Sequence, residues 1–219
     1  MVQPARNPGG EVGDEASVEL RDELQAEPQD ELRDELYEKY LHMPEHQHAE
    51  IVRGTLYVMS RPAPKHANAA SVLGFEIGGP FQRGRGGPGG WWILDEPELH
   101  LVPKEPVIPD LAGWRVERMP ELPDTAYFTL VPDWVCEVLS RSTERLDREV
   151  KLPFYAEHGV RHAWLLDPLD KRLEVYALDG KTKRWREVRI YQGDTAVRAE
   201  PFDVIELDLS ALWSPPLRA

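Results

Sequence analysis

The chain has a single cysteine, Cys136. No disulfide can form within it, and a reducing compartment, the cytoplasm, is the default expectation. Nowhere do about 18 apolar residues run together, which excludes a membrane-spanning helix. The opening segment MVQPARNPGGEVGDE has no apolar stretch and is not expected to act as a signal peptide. Positive charge is scarce as well: 26 Lys and Arg stand against 39 Asp and Glu, a net charge of −13. That balance argues against strong non-specific attraction to nucleic acid. With no second cysteine and no regular spacing, His42, His46 and His48 read as a polar loop rather than a metal site.

The acidity is uneven. Residues 1–40 carry 12 acidic and 4 basic side chains, so −8 of the −13 lies there and −5 is left for the other 179 residues. Residues 1–16 are rich in Pro, Gly and acid, a composition that predicts a disordered tail. Residues 17–42 read as an acidic helical arm. Within it ELRDELQ (19–25) and ELRDELY (31–37) repeat twelve residues apart, and Leu20, Leu24, Leu32 and Leu36 can share one stripe. Pro28 breaks or kinks that run. Residues 43–219 are long enough for one domain with a substantial core.

Along this domain the signals alternate. Residues 49–60 read as a β-hairpin turning at Arg53-Gly54. Residues 66–77 read as a helix, and 81–90 as a flexible Gly-rich connector. That connector lacks the lysine and following helix of a phosphate-cradling loop, so Arg83 and Arg85 are read as solvated. Residues 91–103 and 106–115 are predicted as two strands, 124–133 as irregular, and 134–140 as a short strand. A helix over 141–159 has Ser142 or Thr143 as its N-cap candidate and Gly159 as its C-cap, with Pro153 as an interior flaw. Strands follow over 162–168, 172–180 and 184–193. The sum is an α/β fold, a mixed β-sheet flanked by helices.

Two carboxylates sit where carboxylates are costly. Glu137 lies inside Trp134-Val135-Cys136-Glu137-Val138-Leu139, a run apolar enough to be buried on both faces. An ionised group there needs a partner or a metal. Asp110 follows Val107-Ile108-Pro109 on a different predicted strand, so strand pairing can bring the two together. A hard divalent cation requires such converging oxygens. Asp133 is a rival, but four strand residues span about 13 Å at roughly 3.3 Å each, too far for one ion to share with Glu137. Lys151 falls four residues after Asp147 on the predicted helix and shares its face. The pair is either a surface ion pair or an ammonium aimed at a scissile phosphate or its attacking water. Lys65 and Lys104 are less well placed for that role.

These residues fall in an order that resembles the Uma-type endonuclease family, with its restriction-endonuclease-like core of the PD-(D/E)XK type. The matching pieces are Glu50-Ile51-Val52-Arg53-Gly54-Thr55-Leu56 followed by Met59-Ser60 and His66; Pro109-Asp110; Glu137-Val138-Leu139-Ser140 with Ser142-Thr143; Asp147, Lys151, Tyr155 and Gly159-Val160; and Trp164-Leu165-Leu166-Asp167-Pro168. The resemblance covers roughly residues 43–210. It implies a metal-dependent endonuclease acting on DNA, with Mg²⁺ or Mn²⁺ held by Asp110, Glu137 and the Val138 carbonyl. Glu50 would join as a further acid, and His66, Ser140 and Asp147 as supporting polar residues. The general motif has lysine two residues after the second carboxylate; here Leu139 stands there, and the resemblance moves the lysine to Lys151. The alternative is a catalytically inactive nuclease-fold protein that binds, regulates or self-associates as a homodimer.

Overall fold

A computed structural model describes residues 30–44 and 47–213. The expected tail over 1–16, the first half of the arm with Leu20, Leu24 and Pro28, and His46 lie outside the described residues. The rest of the arm is helix α1, residues 30–41. It docks on the domain through Tyr40, whose hydroxyl donates to Glu98 at 2.9 Å, and through ion pairs of Asp34 with Lys104 and Arg33 with Glu105.

The hairpin forms where its turn chemistry demands. Strand β1 (His48–Val52) pairs with β2 (Thr55–Met59), and Arg53 and Gly54 both take positive φ, at 52° and 68°. Two consecutive left-handed residues match the right-handed twist of the strands they join. Helix α2 (Pro64–Ile77) starts on a proline and ends in a π-helical turn, Gly78–Gln82, with Phe81 buried. The Gly-rich segment is therefore anchored at its start: Gln82 Oε1 accepts the Ile93 N–H at 2.9 Å, and Gly89 N–H bonds the Pro80 carbonyl.

Each of the two strands predicted over 91–103 and 106–115 is two strands. They are β3 (Trp91–Asp95), β4 (Leu99–Val102), β5 (Glu105–Val107) and β6 (Leu111–Arg115). Pro97 and Pro109 sit in the gaps, and neither can donate to a ladder. Glu96 turns the chain at positive φ, 46°. The β4–β5 hairpin so leaves the main sheet, turning at Lys104, also at positive φ.

The main sheet runs β10-β9-β8-β7-β6-β3, adding β7 (Trp134–Val138), β8 (His162–Asp167), β9 (Arg172–Asp179) and β10 (Arg184–Gln192). Only β7 and β8 pair in parallel, and a parallel pair needs a crossover. That crossover is helix α3, built of Glu144–Leu146, a π-helical turn Asp147–Lys151, and Leu152–His158. The wide turn explains how Pro153 is tolerated: it lies just upstream of a ring that can neither donate nor fit a regular turn. Neither expected N-cap hydroxyl caps α3. The Ser140 carbonyl accepts the Glu144 N–H at 2.8 Å instead. Gly159 closes the helix at φ 84°.

Apolar layers form on both sheet faces. One joins α2, Trp134, Cys136, Val138 and Trp164 to Phe202 and Leu212 near the C-terminal end. The other joins α3 to Val135, Leu139, Leu165 and the β4–β5 hairpin. Glu137 alternates with Cys136 and Val138 and therefore faces the α3 side. No helix among the described residues is long and apolar enough to cross a membrane.

Candidate active site

The site begins with one step of strand register. Leu111 pairs with Cys136, Ala112 with Val135 and Gly113 with Trp134. Continuing that antiparallel ladder sets Asp110 opposite Glu137. The Asp110 carboxylate closes the ladder itself, its Oδ2 accepting the Val138 N–H at 2.7 Å. Its Oδ1 is left facing His66 Nε2 at 3.3 Å. His66 is in the first turn of α2 and nearly buried. Burial opposes its charge, but the hydrogen bond and charge of Asp110, the charge of Asp147 and the Val138 carbonyl outweigh it and raise the imidazole pKa.

Lys151 stands at the centre and is 2% exposed. Its ammonium donates to Glu50 Oε1 at 3.1 Å, to Glu137 Oε2 at 3.1 Å and to the Ile108 carbonyl at 2.9 Å. Glu50, buried on β1, also accepts the Ile108 N–H through Oε2. Strand β1, the β5–β6 link, β7 and α3 thus meet at one nitrogen. Burial works against the Lys151 charge, yet Glu137, Glu50, Asp147 and Asp110 hold its pKa above the ordinary lysine range.

Sequence reasoning gave no role to Tyr155. Its hydroxyl donates to Glu137 Oε1 at 2.6 Å, fully buried. The available signal was spacing: Asp147, Lys151 and Tyr155 fall four apart along α3, on one face.

Glu50, Asp110, Glu137 and Asp147 all line one cleft, together with His48, Arg61 and Lys151. So many acids around one ammonium are short of positive charge. Burial raises the pKa of Glu50 and carries that of Glu137 well above the usual carboxylate range, Lys151 opposing both. Asp147 is lifted to about 6, again by burial first. Ser140 lies at the cleft wall, its hydroxyl bonded to those of Ser142 and Thr143. Among the described residues no three His, Cys, Asp or Glu side chains form a group that could hold a metal ion.

The other candidates lie elsewhere. Asp133 is buried beyond the far end of β7, accepting the Arg115 N–H and pairing with Arg118 at 2.9 Å. Lys104 pairs with Asp34, while Lys65, Arg83 and Arg85 are exposed. Leu139 is a core residue on the α3 side, 2% exposed.

The family profile of Uma2, described as "Putative restriction endonuclease", matches residues 35–210. The chain belongs to the Uma2 family. A solved structure with the same fold is "a putative nuclease belonging to DUF820 from Anabaena variabilis", with a TM-score of 0.65 and 20% identity over 81% of this chain and 97% of that one. No curated protein matches the sequence. The six-stranded mixed sheet flanked by helices is thus the fold of that structure.

Proposed function

We propose that this Uma2 chain is a metal-dependent endonuclease that hydrolyses DNA phosphodiester bonds in the cleft between β1, β6, β7 and α3. The observation that carries the reading is the placement of Asp110 and Glu137 on adjacent strands of one cleft beside a buried lysine.

The donor chemistry fits Mg²⁺ or Mn²⁺. The oxygens are hard carboxylate and carbonyl donors, and the raised proton affinity of Glu50, Glu137 and Asp147 marks a site that lacks cationic charge. Asp110, Glu137 and the Val138 carbonyl would hold the ion. Two side chains and a backbone oxygen do not require a group of three acidic or imidazole ligands. A bound ion would polarise the phosphate and lower the pKa of an attacking water.

The chain's own residues supply the rest. The Val138 N–H fixes Asp110, leaving Oδ1 turned to the cleft. Tyr155 and Lys151 fix Glu137. Lys151 carries a permanent positive charge to the place where negative charge develops on phosphate. Glu50 holds that ammonium in position. Residues 43–219 form the catalytic domain and 17–42 the arm, in a cytoplasmic protein.

One observation favours the non-catalytic reading. An ammonium has three N–H donors, and Lys151 directs bonds at three acceptors already: Glu50, Glu137 and Ile108. Substrate or metal must displace one of them for Lys151 to act. The experiment is cleavage of supercoiled plasmid and oligonucleotides with Mg²⁺, with Mn²⁺ and with chelator. Metal-dependent cutting that Asp110→Asn abolishes supports the nuclease. No cutting under any condition leaves the non-catalytic reading.

A further inference from the structure

Residues 181–189, KTKRWREVR, carry five basic side chains and one acidic in a chain of net charge −13. They make up the turn into β10 and most of that strand, an outer edge of the main sheet. Arg184, Arg186 and Arg189 do not alternate in sequence, but the structure brings them into phase. A register shift between Glu187 and Arg189 sets Arg184, Arg186 and Arg189 opposite Asp179, Ala177 and Val175. Those three are alternate residues of β9, so the three arginines share one sheet face. All three are exposed, and among the described residues no carboxylate is within ion-pair distance of any of them. Arg189 lies over the Tyr191 ring, 5.9 Å from its centroid. The face is the one opposite Glu137, because Glu137, Leu165, Glu174 and Ile190 are linked by register on the other.

We infer that this arginine row is a second nucleic-acid contact, one that grips the phosphate backbone of DNA outside the cleft. The inference rests on the reading of the chain as a DNA enzyme. The cleft is crowded with carboxylates and offers a polyanion little attraction, so affinity has to come from another surface. Alternate strand residues are about 6.6 Å apart, so the three guanidinium groups form a row whose long, flexible side chains can reach successive backbone phosphates. A guanidinium also suits bidentate contact with phosphate. Lying on the reverse face, the row holds DNA that flanks or bypasses the scissile bond.

The test is anisotropy of a labelled duplex with the full chain in chelator, across a salt series. At about 50 mM salt, R184E/R186E/R189E should bind at least ~10-fold more weakly, and the slope of log K against log salt should flatten by roughly 2–3. The milder R184Q/R186Q/R189Q should fall between it and the wild type, with thermal melts of both variants confirming folding. Equal binding by the triple variants overturns the inference, as does a wild type that binds no duplex at low salt. Triple variants that lose self-association but keep DNA binding also overturn it, assigning the row to an acidic protein surface. A chain that cuts nothing with any metal yet loses duplex binding in the triple variants would sink the nuclease reading and leave the row standing.

Discussion

Tyr155 donates its hydroxyl to Glu137 Oε1 at 2.6 Å, with both side chains buried. Burial first, then the Glu137 charge, drives the phenol's pKa well above its ordinary value, so the proton stays on tyrosine and the carboxylate remains the acceptor. Hydrogen bonds to charged groups contribute about 1.5–3 kcal/mol. Tyr155→Phe keeps the ring and removes the donor. It should lower unfolding free energy by about that amount at neutral pH, read by urea denaturation with an unchanged m-value. An unaltered midpoint would show that the bond contributes nothing net.

Lys151→Ala should be far more damaging. It strands Glu50 and Glu137 without their shared cation. Breaking a buried pair by removing one partner costs about 3–5 kcal/mol. Most of this cost comes from ionised carboxylates whose proton affinity burial already raises, so the deficit against the wild type should shrink as the pH falls below neutral, before the ordinary carboxylate range is reached. A deficit of the same size at pH 5 and pH 8 would mean lost packing, not lost charge, is responsible.

Asp147 sets a pH dependence with a definite sign. Its folded pKa of about 6 lies above the unfolded value of 3.8. The folded state therefore binds the proton more tightly, and the stability it contributes is complete below about pH 4 and lost as pH rises through about 6. At about 1.4 kcal/mol per pKa unit the loss is at most roughly 3 kcal/mol. Asp147→Asn should flatten this part of the stability profile. A wild-type profile that rises across the same window would contradict the assignment.

Divalent cations should counter the same charge excess. Millimolar Mn²⁺ or Mg²⁺ should raise Tm at pH 7 and above, since an ion that binds only the folded state stabilises it by mass action. Asp110→Asn should remove the rise while the protein still folds, because the amide oxygen can still accept the Val138 N–H. Melting curves that ignore both ions would count against any cation in the cleft.

Local rules of the chain determined much of this molecule. Gly54 marked a tight hairpin between two β-rich runs, because glycine takes the positive φ of such a turn without strain. Gly159 dictated the end of α3, and the apolar run around Glu137 marked that carboxylate as anomalous before any partner was known. Leu139 in place of lysine could be read directly, as could the need for a cation from elsewhere. The prolines at 97 and 109 were visible too, but that they would eject a separate β4–β5 hairpin was not, since ladder pairing is decided between distant segments. Only the tertiary structure settled that Asp110 falls opposite Glu137, because shifting the β6–β7 register by one residue would turn Asp110 to the other face. It alone showed Glu50, 101 residues from Lys151, sharing that lysine with Glu137. It alone brought Arg189 into line with Arg184 and Arg186, through a bulge that side-chain periodicity does not reveal. Turns and caps depend on the φ/ψ preferences of a few neighbouring residues, whereas charge partners and strand register depend on which surfaces the whole chain buries together.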